Sequence, residues 1–386
     1  MKILIIHNKY SSYSGEEAVV EAQINWLRSN GHEVVTYFRS SEEITSIKFG
    51  KIKSFFTAFY NLKTIREIKQ LIKKEEPNVV HVHNLYPLVS PAILPVIKKM
   101  GIPIVITVHN YRLLCPNGLF FNNNKICEKC TGKNKELNCI SNNCENSFFK
   151  STGYALRNFW ARKREYYTSN VDVFLCLTKF QKNKLVANGF SSEKCEVLPN
   201  FYNKQIKEVD YNIEERNYIA FAGRISPEKG IPLLLAAAKK LPHISFQLAG
   251  GIREGYEKEL EIPENVILRG MLSGKEFEAF YKNARCLVLS SIWYEGFPMV
   301  FPEAMVHKLP IIAPNMAGYP EIVEDNFNGL LFSPNNSNSL ASCIEKIWNN
   351  NTLYQKFGAN AFIKVKNKYS SKVYFNNLET IYNKLL

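Results

Sequence analysis

The chain has 386 residues, 46% of them hydrophobic and 22% charged, and a formal net charge of +14. That length exceeds one compact core and suits two domains of ordinary size in a globular chain. Residues 1–200 hold 28 Lys+Arg against 16 Asp+Glu, whereas residues 201–386 hold 21 against 19, so an anionic partner is expected for the first half alone.

Short β-branched runs alternate with helical stretches, the pattern of open parallel α/β sheets. Residues 2–7 predict a buried strand, followed by a polar loop, Asn8 to Gly15, and a helix opened by Glu16 and Glu17 near its positive end. Further strands are predicted at Glu33–Phe38, Val79–His83, Pro103–Val108 and Val171–Leu177. After Pro199-Asn200 a polar linker runs to about Asn217, and a second series follows at Tyr218–Ala222, Ile244–Leu248, Val266–Leu268, Cys286–Leu289 and Pro310–Ala313. The expected organisation is a first domain over 1–200 with a Cys-rich insertion at 112–150, a second over 201–365, and a tail, 366–386. The helical spacing of that tail suits a helix packing back on the first domain. Two doubly wound domains in series would hold two substrates at their strand ends.

No apolar run approaches the ~18–20 residues of a membrane span. Met1-Lys2 leads straight into Ile3–Ile6, too short for a signal-peptide core, so the chain reads as cytoplasmic. The basic residues are dispersed and lack an RNA-binding aromatic motif, which argues against nucleic acid.

Nucleotide motifs are defined partly by what is missing. The loop after the first strand has one glycine, Gly15, and no G-x-G-x-x-G. The three aspartates, Asp172, Asp210 and Asp325, are far apart, so no D-x-D exists to hold a metal-bound diphosphate, and no cofactor is expected for catalysis. Side-chain cations and helix N-termini must then neutralise a diphosphate. Gly223, Arg224 and Lys229 stand in the loop after the first strand of the second domain, where glycine permits close approach and the two cations suit phosphate oxygens. A second constellation, Glu295-Gly296-Phe297-Pro298-Met299 with Glu303 further on, follows the Cys286–Leu289 strand. A helix is expected from Pro298 or Met299, with Glu303 in its second turn and backbone N–H groups at its start favouring an anion. Two carboxylates there are costly as core and sensible as acceptors for sugar hydroxyls.

Glu295 and Glu303, with Gly-Phe-Pro after the first, resemble the E-x7-E motif of retaining family 4 glycosyltransferases. The segment Gly223–Gly230 is similar to that family's diphosphate loop, and Val79–Asn84 and Thr107–Asn110 to its N-terminal strand ends. The resemblance spans roughly residues 1–365; Ser14-Gly15 stands where the family has Gly-Gly. It implies the GT-B fold, two facing Rossmann-like domains of α/β class, and sugar transfer from a nucleotide diphosphate donor, UDP favoured. The acceptor implied is a glycan or lipid-linked glycan in bacterial surface-polysaccharide assembly, with retention. By the same resemblance Arg224 and Lys229 would bind pyrophosphate. Glu295 and the Gly296–Met299 backbone would hold the sugar and phosphate, Glu303 would take the ribose hydroxyls, and His109 would face the sugar. Of His81 and His83, one is expected to be a satisfied core histidine. A GT-B sugar-nucleotide epimerase, and a non-catalytic lipid or polyanion binder on this scaffold, remain as alternatives.

Two features fall outside these motifs. Cys127-x2-Cys130 and Cys139-x4-Cys144, with Cys115 upstream as a further candidate, have the spacing of a structural zinc site; free thiols in a loop are the other reading. Lys48 to Lys74 holds eight Lys+Arg against one Glu, with Ile52, Phe55, Phe56, Phe59, Leu62, Ile65, Ile68 and Ile72 at helical steps. That is a basic amphipathic helix or helix pair, suited either to an anionic membrane surface or to an ordinary crossover helix.

Overall fold

A computed structural model of the chain describes residues 1–10, 14–46, 50–207 and 215–386, and side chains outside 45–54. Lys48, Asp210, the tip of the Asn8–Gly15 loop and residues 208–214 of the predicted linker lie outside the described residues.

The strands in chain order are β1 (Lys2–Lys9), β2 (Glu33–Ser40), β3 (Val79–Asn84), β4 (Ile104–Val108), the hairpin pair β5 (Phe121–Asn122) and β6 (Lys125–Ile126), β7 (Val173–Cys176) and β8 (Cys195–Val197). They continue with β9 (Tyr218–Ala222), β10 (Ser245–Ala249), β11 (Val266–Gly270), β12 (Ala284–Val288), β13 (Ile311–Pro314) and β14 (Gly329–Phe332). The chain divides into two compact units. One comprises residues 1–120, 127–200 and 375–386; the other comprises 121–126 and 201–374.

Each unit is built on a six-stranded sheet paired in parallel throughout, in the orders β2-β1-β3-β4-β7-β8 and β11-β10-β9-β12-β13-β14. Parallel strands covered by helices on both faces read as unbroken apolar runs, and every residue of β3, β4, β9 and β12 is buried. Such sheets bind ligands at the carboxyl ends of the strands where the order reverses. The reversal falls between β1 and β3 in the first sheet and between β9 and β12 in the second.

Short strands explain what the sequence pattern missed. β8 has three residues, too few for a periodicity, and β14 opens on a glycine and carries no β-branched residue. The basic stretch forms two helices, Gly50–Phe59 and Leu62–Glu75. In the second, Ile65, Ile68 and Ile72 enter the core against Leu4, Ile6 and Val80, whereas Leu62 stays exposed. In the first, Phe55 and Phe56 are exposed. Of the two readings, one helix or a pair, the structure has the pair, and its second, isoleucine-bearing member serves as an ordinary crossover helix.

The last helix, Ser371–Asn383, places Phe375, Leu378 and Tyr382 out of solvent. Phe375 stacks on Trp26 at 3.9 Å between ring centroids, and Glu379 accepts a 2.8 Å hydrogen bond from His32. Phe375→Ala is expected to destabilise the protein by about 3–5 kcal/mol, the cost of truncating a buried aromatic. Phe56→Ala, at an exposed site, should stay within about 0.5 kcal/mol of the wild type. Urea unfolding followed by tryptophan fluorescence measures both.

Candidate active site

In the second unit the loops that follow β9, β10 and β12 interlock. Gly223 N–H donates to Ala249 O at 2.9 Å, and Ile225 N–H to Gly251 O at 2.9 Å. Gly230 starts the helix Ile231–Ala238 at φ +71, and a Cβ there would lie 1.8 Å from the Ser290 carbonyl oxygen, so only glycine fits. Ser290 Oγ donates to Lys229 O at 2.8 Å and Ile292 N–H to Glu228 O at 3.1 Å, fastening the β12 loop to the β9 loop.

That fastening brings the predicted cations and carboxylates together. Lys229 Nζ lies 2.8 Å from Glu295 Oε2, whose other oxygen accepts from Ser291 Oγ. Arg224 pairs with Glu228 Oε1 at 2.6 Å, and Arg253, which sequence reasoning passed over, approaches Glu228 Oε2 at 3.5 Å. Burial opposes the Glu228 charge, but hydrogen bonding from its own backbone and the Arg224 guanidinium outweigh it and hold the carboxyl below its ordinary range. Arg224 keeps 58% of its side chain exposed and Lys229 18%, so one paired cation faces solvent and the other is enclosed.

Glu303 differs from the expectation in placement. The helix is a short one, Val300–Met305, with Glu303 in its first turn. Its carboxylate accepts from the Tyr281 hydroxyl at 3.2 Å, and burial pushes its pKa up to about 7. Phe297 is buried with its ring 5.2 Å from that of Tyr369, so its side chain supports the loop from below. A six-residue helix cannot supply the anion site expected at its start, which leaves the cationic side chains as the diphosphate's candidates.

In the first unit a column of histidines stands at the ends of β1, β3 and β4. His81 and His83 stack at 4.4 Å on one side of β3, correcting the expectation that only one of them faces inward, because residues two apart on a strand share a face. His81 is fully partnered, bonded on Nδ1 to the Tyr382 hydroxyl (2.6 Å) and the Gln23 amide (2.9 Å) and on Nε2 to Thr107 (2.8 Å). His83 Nδ1 meets His109 Nε2 at 2.9 Å. Burial lowers the His109 pKa to about 3 and that of His7 to about 4, so both rings are neutral near pH 7 and act as hydrogen-bonding groups rather than as cations.

Gly15 opens the helix Gly15–Ser29, capped by Ser14 and reciprocally by Glu17, whose carboxylate also accepts the Tyr10 backbone N–H at 2.7 Å. Glu16 is enclosed beside His7 and accepts from the Tyr10 hydroxyl at 3.1 Å; burial raises its pKa to about 8. Arg112 donates to Asn84 Oδ1 at 3.3 Å beside a small cavity of about 50 Å³ that also touches His83 and His109. Glu16 and Arg112 were not singled out from the sequence. The signal available was their position just after β1 and β4, at strand carboxyl ends.

Two Rossmann-like units, with a cation–carboxylate cluster at the order reversal of the second, define a glycosyltransferase of GT-B fold. Family models agree: the one described as Glycosyltransferase Family 4 matches residues 13–205, half of the chain, and the one described as Glycosyl transferases group 1 matches residues 203–364. The chain belongs to the family 4, group 1 glycosyltransferases. It is 26% identical over 368 residues to the uncharacterized glycosyltransferase MJ1178 of Methanocaldococcus jannaschii, covering 93% of this chain and 92% of that protein. It is 27% identical over 219 residues to the capsular polysaccharide biosynthesis glycosyltransferase CapM of Staphylococcus aureus, covering 53% of this chain and 57% of CapM. Among solved structures, a glycosyltransferase from Rickettsia africae matches at a TM-score of 0.69 with 16% identity, over 100% of this chain and 98% of that one. Anabaena HepE in complex with UDP matches at 0.66 with 14% identity, over 99% of each chain. These likenesses show the fold. Neither the epimerase reading nor the non-catalytic one is favoured by them.

Glu303 gives a pH test. Its folded pKa of about 7 lies above the unfolded value near 4.5, so the folded chain holds the extra proton between these limits and loses stability as pH rises through them. Melting temperatures of Glu303→Gln and wild type should therefore diverge in favour of the variant from pH 4.5 to 7 and run parallel above. The histidines act oppositely: with folded pKa values pushed down to about 3 or 4, His81, His109 and His7 cost stability as pH falls below about 6.5.

Proposed function

We propose that the protein transfers a sugar from a UDP-sugar to a lipid-linked glycan, with retention, in surface-polysaccharide assembly at the inner face of a bacterial cytoplasmic membrane. The observation that carries this is the convergence of Arg224, Lys229 and Glu295 at the order reversal between β9 and β12. Anabaena HepE, crystallised with UDP and with UDP-glucose, supports the choice of base, and CapM supports the polysaccharide setting.

In this reading Arg224 leaves Glu228 to fork onto the diphosphate, while Lys229, steadied by Glu295, meets the phosphate that departs with the nucleotide. Glu295 and the backbone of Gly296–Met299 hold the donor sugar; Glu303 takes the ribose hydroxyls; Gly15 lets the first unit's loop approach the donor; His109 hydrogen-bonds a sugar hydroxyl as a neutral ring. The acceptor oxygen bonds to the anomeric carbon as the bond from that carbon to the phosphate oxygen breaks, and the acceptor's proton passes to the departing phosphate. No metal is called on for this step.

A membrane face is part of the same proposal. Among the described residues no helix is long and apolar enough to cross a membrane. The helices Gly50–Phe59 and Phe148–Lys163 touch where the Phe55 ring lies against Gly153, and both leave aromatics in solvent: Phe56 is 64% exposed, Phe148 62% and Phe149 84%. Aromatic side chains beside the lysines of the 48–74 stretch match an anionic bilayer surface.

A thermal-shift series with UDP, GDP and ADP tests the donor. UDP at ~100 times its dissociation constant should stabilise the fold by about 2.7 kcal/mol, and the other two by less at equal concentration. Arg224→Ala and Lys229→Ala should each lower turnover by roughly 10²–10³-fold, the scale for removing one preorganised charge-stabilising group. Full activity in either would sink the assignment. Flotation with vesicles containing anionic lipid should recover the protein at low salt and lose it at high salt, and a Phe148→Ser, Phe149→Ser variant should float less.

A further inference from the structure

The first unit holds positive charge that the sugar-transfer reading leaves without a partner. Arg157, on the helix Phe148–Lys163, is 4% exposed. Its guanidinium lies over the Tyr86 and Tyr154 rings, 4.2 and 3.9 Å from their centroids, and donates to Pro116 O at 2.8 Å. Arg112, just after β4, donates to Asn84 Oδ1 at 3.3 Å and keeps its Nε buried with no partner. Among the described residues neither guanidinium forms an ion pair. Burial and then the charge of Arg112 lower the Arg157 pKa. Glu16 and Glu145 attract Arg112 through space without pairing with it, and burial raises both their pKa values, that of Glu16 to about 8. Buried cations are normally paired, and here the chain leaves the place of the anion open.

The space beside Arg112 is lined with unused donors. Arg112 and His83 both line the cavity of about 50 Å³ at the carboxyl ends of β3 and β4. His83 is 6% exposed, and its Nε2 has no hydrogen-bond partner. Its Nδ1 lies 2.9 Å from His109 Nε2, so one proton must sit on that bond between two neutral rings. When His109 supplies it, His83 carries its own proton on Nε2 and donates there, while His109 keeps Nδ1 as an acceptor. Asn110 lines the same cavity with its Oδ1 taken by the Arg112 backbone N–H at 3.0 Å, which leaves its amide N–H groups to donate. A water takes ~10–15 Å³ of such space, so there is room for about three or four oxygens, the size of a phosphate group. A second cavity of about 80 Å³ shares Tyr86, Arg112 and Tyr167 with the first and adds Lys135. Its two acids are already engaged, Glu136 by Arg162 at 2.8 Å and Glu165 by Ser169 at 2.7 Å. The thiols of the 112–150 insertion offer no comparable site, since among the described residues no three metal-ligating side chains are grouped to hold an ion.

We propose that this cavity binds a phosphate group of the acceptor, with Arg112 Nε and His83 Nε2 as its donors and Arg157 adding positive potential nearby. Arg112 is placed for this by its backbone, whose N–H donates to Asn110 Oδ1 at 3.0 Å and whose carbonyl accepts from Asn158 Nδ2 at 2.6 Å. A charged, forked donor beside a neutral one selects an oxyanion over a sugar hydroxyl. The assignment to the acceptor rests on the sugar-transfer reading above; the anion site itself does not. A lipid diphosphate and a phosphorylated glycan present the same group, and either would place its phosphate here.

The test titrates the full chain, held in saturating UDP, with inorganic phosphate, glucose 1-phosphate, farnesyl diphosphate and uncharged methyl glucoside, by calorimetry. The three phosphates should bind and the glucoside should not. Tighter binding of farnesyl diphosphate identifies a lipid-linked source, and equal binding of all three identifies the phosphate alone as the recognised group. Arg112→Gln should weaken phosphate binding by roughly tenfold or more, the loss of one charge-assisted hydrogen bond, and leave UDP affinity unchanged. Arg112→Lys should recover part of the loss. Arg224→Ala should do the reverse, weakening UDP and sparing the phosphate response, so the acceptor site and the donor site fail separately. Should the Arg112 variants not fold, phenylglyoxal labelling of the wild type decides: glucose 1-phosphate should protect Arg112, as read by peptide mass spectrometry. Absence of phosphate binding in the wild type, unchanged phosphate affinity in Arg112→Gln, or Arg112 labelling that ignores the phosphate would each overturn the site.

Discussion

A parallel sheet covered on both faces can be joined only by crossovers that return along its outside, and they all share one hand. Chain growth from a central strand toward one edge, then toward the other, leaves a point where neighbouring loops part. In each unit that point lies beside the first strand of the sheet, between β1 and β3 and between β9 and β12. Nearly every candidate group, Gly15, His109, Arg112, Arg224, Lys229 and Glu295, follows one of these strands or the next. The apolar strands and the polar site are consequences of one constraint.

The second unit's charges show how such a site is kept ready. Glu295 is buried, and an unpaired carboxylate there would be costly; Lys229 and Ser291 satisfy it. Glu228 holds Arg224 by an i,i+4 pair in the same manner. In the function proposed above, a diphosphate would compete with Glu228 for Arg224, an exchange of one anion for another. Lys229 has less freedom, because its carbonyl is bonded to Ser290 and its ammonium to Glu295. Preorganisation of this kind suits stabilising charge that appears only as a bond breaks.

Much of this was readable in the chain. Ten strands and the two-sheet α/β architecture followed from β-branched runs, and the cation–carboxylate groups of the second unit from their places after β9 and β12. What escaped had physical reasons. β8 is too short to show a period, and β14 has no β-branched residue to mark it. The exposed aromatics of Gly50–Phe59 and the buried isoleucines of Leu62–Glu75 share one helical spacing, and only the break at Tyr60-Asn61 separates them. His81 and His83 share a face by simple strand geometry, yet which one finds partners depends on Tyr382, some three hundred residues away. Glu16 and Arg112 carry no motif; they matter through enclosure, which spacing does not reveal.

The stacking of Phe375 on Trp26 and the bond from Tyr382 to His81 bear on the order in which the protein is made. Residues 201–374 leave the ribosome before residues 375–386, so the second unit has its full sheet while the first still lacks a helix that covers its core. During that interval Trp26 lacks the Phe375 ring and His81 lacks the Tyr382 hydroxyl, and the first unit depends on the rest of its sheet to stay folded. Although its first two hundred residues are made early, the first unit is finished last.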